Sequence, residues 1–317
     1  MKAARIVECG RPPVVADREP PAVGDDHVLV DVLAAPITPL DVLCASGASY
    51  FGPPATPYVP GVQGVGRVGD LLVWFPTSAG MAPGDGSMAE RAVVPEADLV
   101  PLPADVDPVE VAALGLSAVA AHMALTWRGE LAPGEQVIVL GAGGVVGQTA
   151  VQLARAAGAR RVIAGARSEA AQARAGKAGA DAVVALDTGD VDELARRFTA
   201  AADGPVDLVL DPLYGAPAAA AARALRPHGR LVNLGSSADE TCPIDSATLR
   251  GKSLRLLGYT NNALTREQRA AAVTAVAGHA VRGTLTVAHE VASLADAAAA
   301  WQRQAAGAAT GRIVLRI

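Results

Sequence analysis

Aromatic residues make up only 3 % of this 317-residue chain, and charged residues only 19 %. Little charge beside 51 % hydrophobic residues excludes a disordered chain and leaves apolar mass for a sizeable core. Cysteine is confined to Cys9, Cys44 and Cys242, widely spaced and odd in number. That excludes a disulfide framework and a thiolate zinc cage, which both need clustered pairs. No basic block is present, and 27 Lys+Arg against 32 Asp+Glu gives a formal net charge of −5. Nucleic acid and anionic membrane are therefore not expected partners. The opening MKAARIVECGRPP lacks the apolar core of a secretory signal. The apolar stretches Val111–Ala121 and Val137–Val146 are too short to span a bilayer. A cytoplasmic, soluble protein is expected, with roughly two domains at about 100–200 residues each.

Two textures are present. Up to about Pro103 the chain is rich in Pro and Gly, with short Val-rich runs at Val28–Leu33, Gly64–Val68, Leu71–Phe75 and Glu90–Pro95. These predict short strands joined by turns. From Asp107 the pattern alternates. A long Ala/Leu helix over Asp107–Trp127 precedes the strands Gln136–Leu140, Arg161–Gly165, Ala182–Ala185, Val206–Leu210 and Gly229–Leu234. The helices Val146–Ala157, Glu169–Ala178, Asp192–Ala201 and Ala216–Leu225 stand between them. Apolar runs alternating with helices imply a doubly wound parallel sheet covered on both faces. The tail adds a strand at Leu254–Gly258, helices near Arg266–Arg282 and Leu294–Gln304, and a closing strand at Gly311–Ile317.

The segment VIVLGAGGVVGQTAVQLARAAGA, residues 137–159, carries most information. Two glycine registers are available. Gly141-x-Gly143 puts Val146 at the third position, whereas Ala142-x-Gly144-x-x-Gly147 keeps the last two glycines where the turn needs them. The second is preferred: Gly144 admits a pyrophosphate close to backbone and Gly147 lets the helix dock on the strand. Val145 and Val146 then open a helix whose free N–H groups and partial positive charge face the phosphates. A tight turn without ligand is the alternative. The next strand leads into Ala166-Arg167-Ser168, with no acid to take ribose hydroxyls before Glu169. Arg167 and Ser168 suit a 2′-phosphate, so NADPH is the expected cofactor. The alternative for Arg167 is a solvated surface arginine.

Further segments carry a family resemblance along nearly the whole chain: Ala35–Asp41 (APITPLD), Pro57–Gly66 (PYVPGVQGVG), Gly86–Glu90, Ala142–Gly147, Asp207–Pro212, Gly229–Gly235 and Thr310–Leu315. The chain resembles the medium-chain dehydrogenase/reductase (MDR) superfamily, in its zinc-independent quinone oxidoreductase and enoyl reductase branch. The resemblance implies α/β architecture: a GroES-like β-rich catalytic domain over 1–112, a Rossmann NADP-binding domain over 113–258, and a return to the catalytic domain over 259–317. It implies substrate in the cleft between domains. It also implies a homodimer paired through Leu254–Gly258, since an apolar edge strand needs cover. The zinc branch places Cys near Thr38, His at Val62 and Glu at Gln63. None is present, so no metal is expected. Many quinone oxidoreductases carry Asn at Thr38 and Tyr at Leu43. Their phosphate-binding Lys falls near Ala171, which moves that duty onto Arg167.

Hydride transfer asks the protein mainly to position the cofactor and polarise the acceptor. Reduction of a conjugated carbonyl also needs a donor to the enolate oxygen and a proton for the α-carbon. By resemblance the catalytic candidates are Tyr50, beside a family proton-donating Tyr, and Thr38, at the family Asn. An apolar lid residue beside Phe51 is the alternative for Tyr50, and a hydroxyl capping the backbone is the alternative for Thr38. Ser117 matches a hydroxyl near the nicotinamide, and Leu234, Gly235 and Ser236 end a strand at its ligand-binding carboxyl edge. The expected activity is NADPH-dependent reduction of a quinone or enone, with a neutral, apolar carbonyl substrate. An NADPH-binding redox sensor with little catalysis is the alternative.

Overall fold

The computed structural model describes residues 1–317. The strands and helices are β1 (Lys2–Arg5), β2 (Val14–Asp17), β3 (His27–Ile37), α1 (Pro39–Ser46), β4 (Gln63–Val68), β5 (Leu71–Pro76), β6 (Arg91–Pro95), β7 (Val100–Pro101) and α2 (Pro108–Met123). The alternating region follows as β8 (Gln136–Leu140), α3 (Val145–Ala156), β9 (Arg161–Ala166), α4 (Glu169–Lys177), β10 (Ala182–Ala185), α5 (Val191–Ala201), β11 (Val206–Asp211), α6 (Gly215–Ala224) and β12 (Leu225–Asn233). The remainder is α7 (Ser246–Lys252), β13 (Arg255–Gly258), α8 (Arg266–Val281), β14 (His289–Ser293), α9 (Ala297–Ala305) and β15 (Arg312–Arg316).

The chain forms two compact units: residues 1–115 with 273–317, and residues 116–272. The first holds a seven-stranded sheet of order β14-β15-β3-β4-β5-β7, with β6 also on β3. Its core gathers Ile6, Ile37, Met88, Trp301 and Ile313. The second holds six parallel strands in the order β10-β9-β8-β11-β12-β13. Every residue of β8 is buried, as a strand covered on both faces requires. Ile138, Leu140, Ile163, Leu194 and Phe198 fill its core. The reversal of strand order between β8 and β11 is the point where doubly wound sheets bind ligands, beyond the carboxyl ends of the strands.

The unit boundaries differ from the expected 112 and 258. The segment after β13 stays with the parallel sheet because Tyr259 N–H donates to Asn233 O at 2.9 Å and Asn261 Nδ2 to Leu116 O at 3.1 Å. The long apolar helix is not regular. At Gly115 the backbone is non-helical, φ 36° and ψ −140°. That positive φ strains any residue with a side chain, and a Cβ there would also lie 2.2 Å from Gln63 Nε2, so glycine is favoured. The helical run Pro108–Arg128 is longer than the apolar stretch read from the sequence. It is long and apolar enough to cross a bilayer, but 72 % of its most apolar window is buried inside the protein. The strands β1, β2 and β14 and the helix α7 are not among the elements that the sequence pattern predicts.

Candidate functional site

The carboxyl edge of the parallel sheet collects most of the expected residues. After β8, Gly141 takes φ 61°, and Gly144 N–H donates back to Gly141 O at 3.0 Å, closing the turn. Ala142 is buried and gives its N–H to Gly165 O at 3.0 Å, tying the loop to β9. The glycines have different reasons. A Cβ on Gly143 would come 2.3 Å from Ala171 Cβ, and one on Gly147 would come 2.4 Å from Ala142 Cα. Both are fixed by packing within the chain. A Cβ on Gly144 would meet only Gly141 O, at 3.5 Å, an ordinary contact. Nothing inside the protein demands glycine at 144, and that exposed position faces open space.

Gly144 is also the N-cap of α3, and no side chain caps the helix. The first-turn N–H groups at Val145, Val146 and Gly147 are left to an outside acceptor, backed by the helix dipole. This is the cradle a dinucleotide pyrophosphate needs, and the residues fit that group. Arg167 and Ser168 follow β9 and are exposed. Ser168 Oγ accepts from Ala171 N–H at 3.3 Å and so caps α4, leaving its hydroxyl hydrogen to donate. Arg174 was not singled out from the sequence. Its Nε–H donates to Gly143 O at 2.9 Å, beside Gln148 Nε2 on the same carbonyl at 3.0 Å. The available signal was its place one helical turn after Ala171.

On the other side of the switch point, buried Asp211 ties two loops together. Its Oδ1 accepts from Leu213 and Tyr214 N–H at 2.9 and 2.8 Å, and its Oδ2 from Asn233 Nδ2 at 3.0 Å. Asn233 Nδ2 also reaches Gly235 O at 2.8 Å, and Leu234 N–H donates to Asp211 O at 2.9 Å. Ser236 Oγ donates to Glu240 Oε1 at 2.6 Å. The expected Leu234–Ser236 loop thus has a fixed backbone. Burial pushes the Asp211 carboxyl up from its ordinary value, against the bonds from Asn233, Tyr214 and Leu213. Ser117 is half-buried and follows the break at Gly115. The Asn261 bond to Leu116 O holds its turn near the ends of β12 and β13. Tyr259 is buried, and its hydroxyl donates to Asn261 Oδ1 at 2.7 Å.

Thr38 and Tyr50 belong to the first unit. Thr38 is 5 % exposed and caps α1: its Oγ1 donates to Asp41 Oδ2 at 2.5 Å and accepts from Asp41 N–H at 3.1 Å. The Asp41 carboxylate further accepts from Gly61 and Val62 N–H at 3.1 and 2.9 Å. Thr38 Oγ1 therefore has its only hydrogen committed. Tyr50 is 80 % exposed, with its ring 4.2 Å from that of Phe51. At the positions of zinc ligands in the zinc branch, Val62 has no donor atom and Gln63 Oε1 accepts from Trp74 Nε1–H at 3.0 Å. These side chains do not fit zinc, and no three His, Cys, Asp or Glu side chains cluster anywhere in the molecule.

The chain is similar to several known proteins. A family model described as zinc-binding dehydrogenase matches residues 145–278. Quinone oxidoreductase of Rattus norvegicus is 29 % identical over 283 residues, covering 84 % of this chain and 82 % of the rat protein. Mitochondrial enoyl-[acyl-carrier-protein] reductase of Bos taurus is 33 % identical over 150 residues, 44 % of this chain and 39 % of the bovine one. The quinone oxidoreductase of Thermus thermophilus, solved also in complex with NADPH, is 30 % identical. It superposes with a TM-score of 0.79, covering 100 % of both chains.

Proposed function

The chain belongs to the quinone oxidoreductase branch of the MDR superfamily and is an NADPH-dependent oxidoreductase, and from that premise we propose that it reduces a carbonyl-conjugated acceptor, either a quinone or the C=C bond of an enone or enoyl compound. The observation that carries the reading is the cradle at Gly144, open to solvent and uncapped. NADPH, when bound, supplies the hydride. The N–H groups opening α3 hold the pyrophosphate, and Arg167 and Ser168 receive the 2′-phosphate. Ser117 and the Leu234–Ser236 backbone flank the nicotinamide half. For an enone or enoyl acceptor, hydride addition at the β-carbon leaves an enolate that must be protonated at the α-carbon, whereas a reduced quinone takes its protons on oxygen. Tyr50 is assigned that proton, because the Thr38 hydrogen already lies on Asp41. Thr38 then positions the start of α1. The acceptor is neutral and apolar. The enzyme works as a cytoplasmic homodimer paired through the exposed edge of β13, where Leu256 is 45 % exposed.

A second reading, an NADPH-binding redox sensor with little turnover, is favoured by the exposure of Tyr50 and the commitment of Thr38. One experiment separates the two. The protein is titrated with NADPH and NADH by nicotinamide fluorescence, then offered quinones and enones. Turnover on either panel is expected, with Tyr50→Phe slowing enone reduction by about 10²-fold, the lower range for a general acid. Binding without turnover on any acceptor would sink the reductase reading. Failure to bind either nucleotide would remove the glycine-loop assignment itself.

A further inference from the structure

Several guanidinium groups in the parallel-sheet unit have carboxylate partners: Arg155 with Asp181, Arg160 with Asp203, Arg197 with Asp187 and Glu193, and Arg226 with Asp207. Arg174 has none. It is half-buried, and its contact is the Nε–H bond to Gly143 O. One of five donors is used, and the terminal fork remains open. The side chain is not free to wander, because Ala171 seats this face of α4 directly on Gly143. A fixed, half-desolvated cation beside a phosphate cradle, in a chain of net charge −5, lacks an anion that the chain itself does not provide.

We propose that Arg174 is a specificity residue for the 2′-phosphate of NADPH, forming with Arg167 a two-cation clamp around that group. The inference rests on the cofactor reading above. Two anion positions are near Gly143. The pyrophosphate sits over the start of α3, and the ribose lies toward the end of β9. Arg174 approaches Gly143 from α4, the helix that leaves the end of β9, and so from the ribose side. No Asp or Glu ends β9 to take free ribose hydroxyls. Ala171, one turn earlier, has no group to offer a phosphate. The Nε bond to Gly143 fixes the guanidinium plane, which suits bidentate recognition of a phosphate.

The test is the ratio of NADPH to NADH dissociation constants for wild type, Arg174→Gln and Arg167→Gln. Adenosine 2′,5′-bisphosphate and 5′-AMP serve as competing ligands without nicotinamide. Arg174→Gln is expected to weaken NADPH and adenosine 2′,5′-bisphosphate about 10- to 100-fold, the range of one charge-assisted contact. NADH and 5′-AMP should change less than about threefold, with the melting temperature held. Equal weakening of all four ligands would overturn the proposal, since Arg174 would then only brace the glycine loop. An unchanged NADPH constant would overturn it as well. A wild type that binds NADH as tightly as NADPH would refute the clamp while leaving a reductase standing. A wild type that binds neither would bring down the cofactor reading and this inference together.

Discussion

At the scale of single residues, burial decides which side chains can react. Cys44 is fully buried and its thiol is pushed up by desolvation. Cys242 is half-buried, donates its Sγ–H to Gly215 O at 3.2 Å, and is pushed up to about 11 by burial and the nearby Asp211 charge. A raised thiol pKa lowers the thiolate share, so at pH 8 only about one Cys242 in a thousand is nucleophilic. Iodoacetamide at pH 8 should therefore modify Cys242 slowly, and Cys44 only on unfolding. Peptide mass mapping checks the order, and early adducts on Cys44 would contradict its burial. Raising the pH toward 11 should speed Cys242 labelling, because the thiolate then accumulates. The same scale explains Thr38: a hydroxyl whose one hydrogen is held within its capping box has none left to donate to a substrate.

At the scale of elements, the glycine loop separates folding from binding. Gly147→Ala puts a methyl 2.4 Å from Ala142 Cα, so α3 must move off β8. A loss of about 1–3 kcal/mol is expected, lowering the melting temperature by about 2–4 °C per kcal/mol. Gly144→Ala has room and an extended backbone, φ −81° and ψ 171°. It should melt like wild type yet bind NADPH at least about tenfold more weakly, because the methyl occupies the phosphate's approach. Thermal melts and fluorescence titrations of the two variants check this contrast. Elements of the parallel sheet were legible in sequence for the same reason the loop was. Strands buried on both faces, such as Gln136–Leu140 and Val206–Leu210, read as unbroken apolar runs between helices. What escaped was short. Helix α7, SATLRGK, is held by Asp245 Oδ1 accepting from Thr248 N–H at 2.7 Å, and β14, HEVAS, by parallel pairing with β15. The close approach of Gly115 to Gln63 and the bond of Arg174 to Gly143 each join residues tens of positions apart. Sequence spacing alone does not bring either pair together.

At the scale of the whole molecule, β13 closes the parallel sheet at one side with Arg255 and Leu256 exposed. A second copy pairing there would continue the sheet and cover the apolar edge. Leu256→Lys should convert a dimer into a monomer by light scattering while each chain keeps its NADPH affinity. A wild type that is already monomeric would refute the proposed assembly.

The seven-stranded sheet has a further property, one of time. Strand β15 lies between β14 and β3, with Ile313 opposite Ile37 and Arg316 opposite Ala34. Arg312 Nη1 donates to Ile37 O across 275 residues of chain. At roughly 5–20 residues per second of synthesis, the Ala34–Ile37 end of β3 waits about 14–55 s for its partner. The whole parallel-sheet unit is made in that interval. A nascent chain therefore carries an open, apolar sheet edge for tens of seconds on the ribosome. Translation speed and chaperone supply are therefore expected to bear on the yield of this protein in a cell, beside the stability of the finished fold.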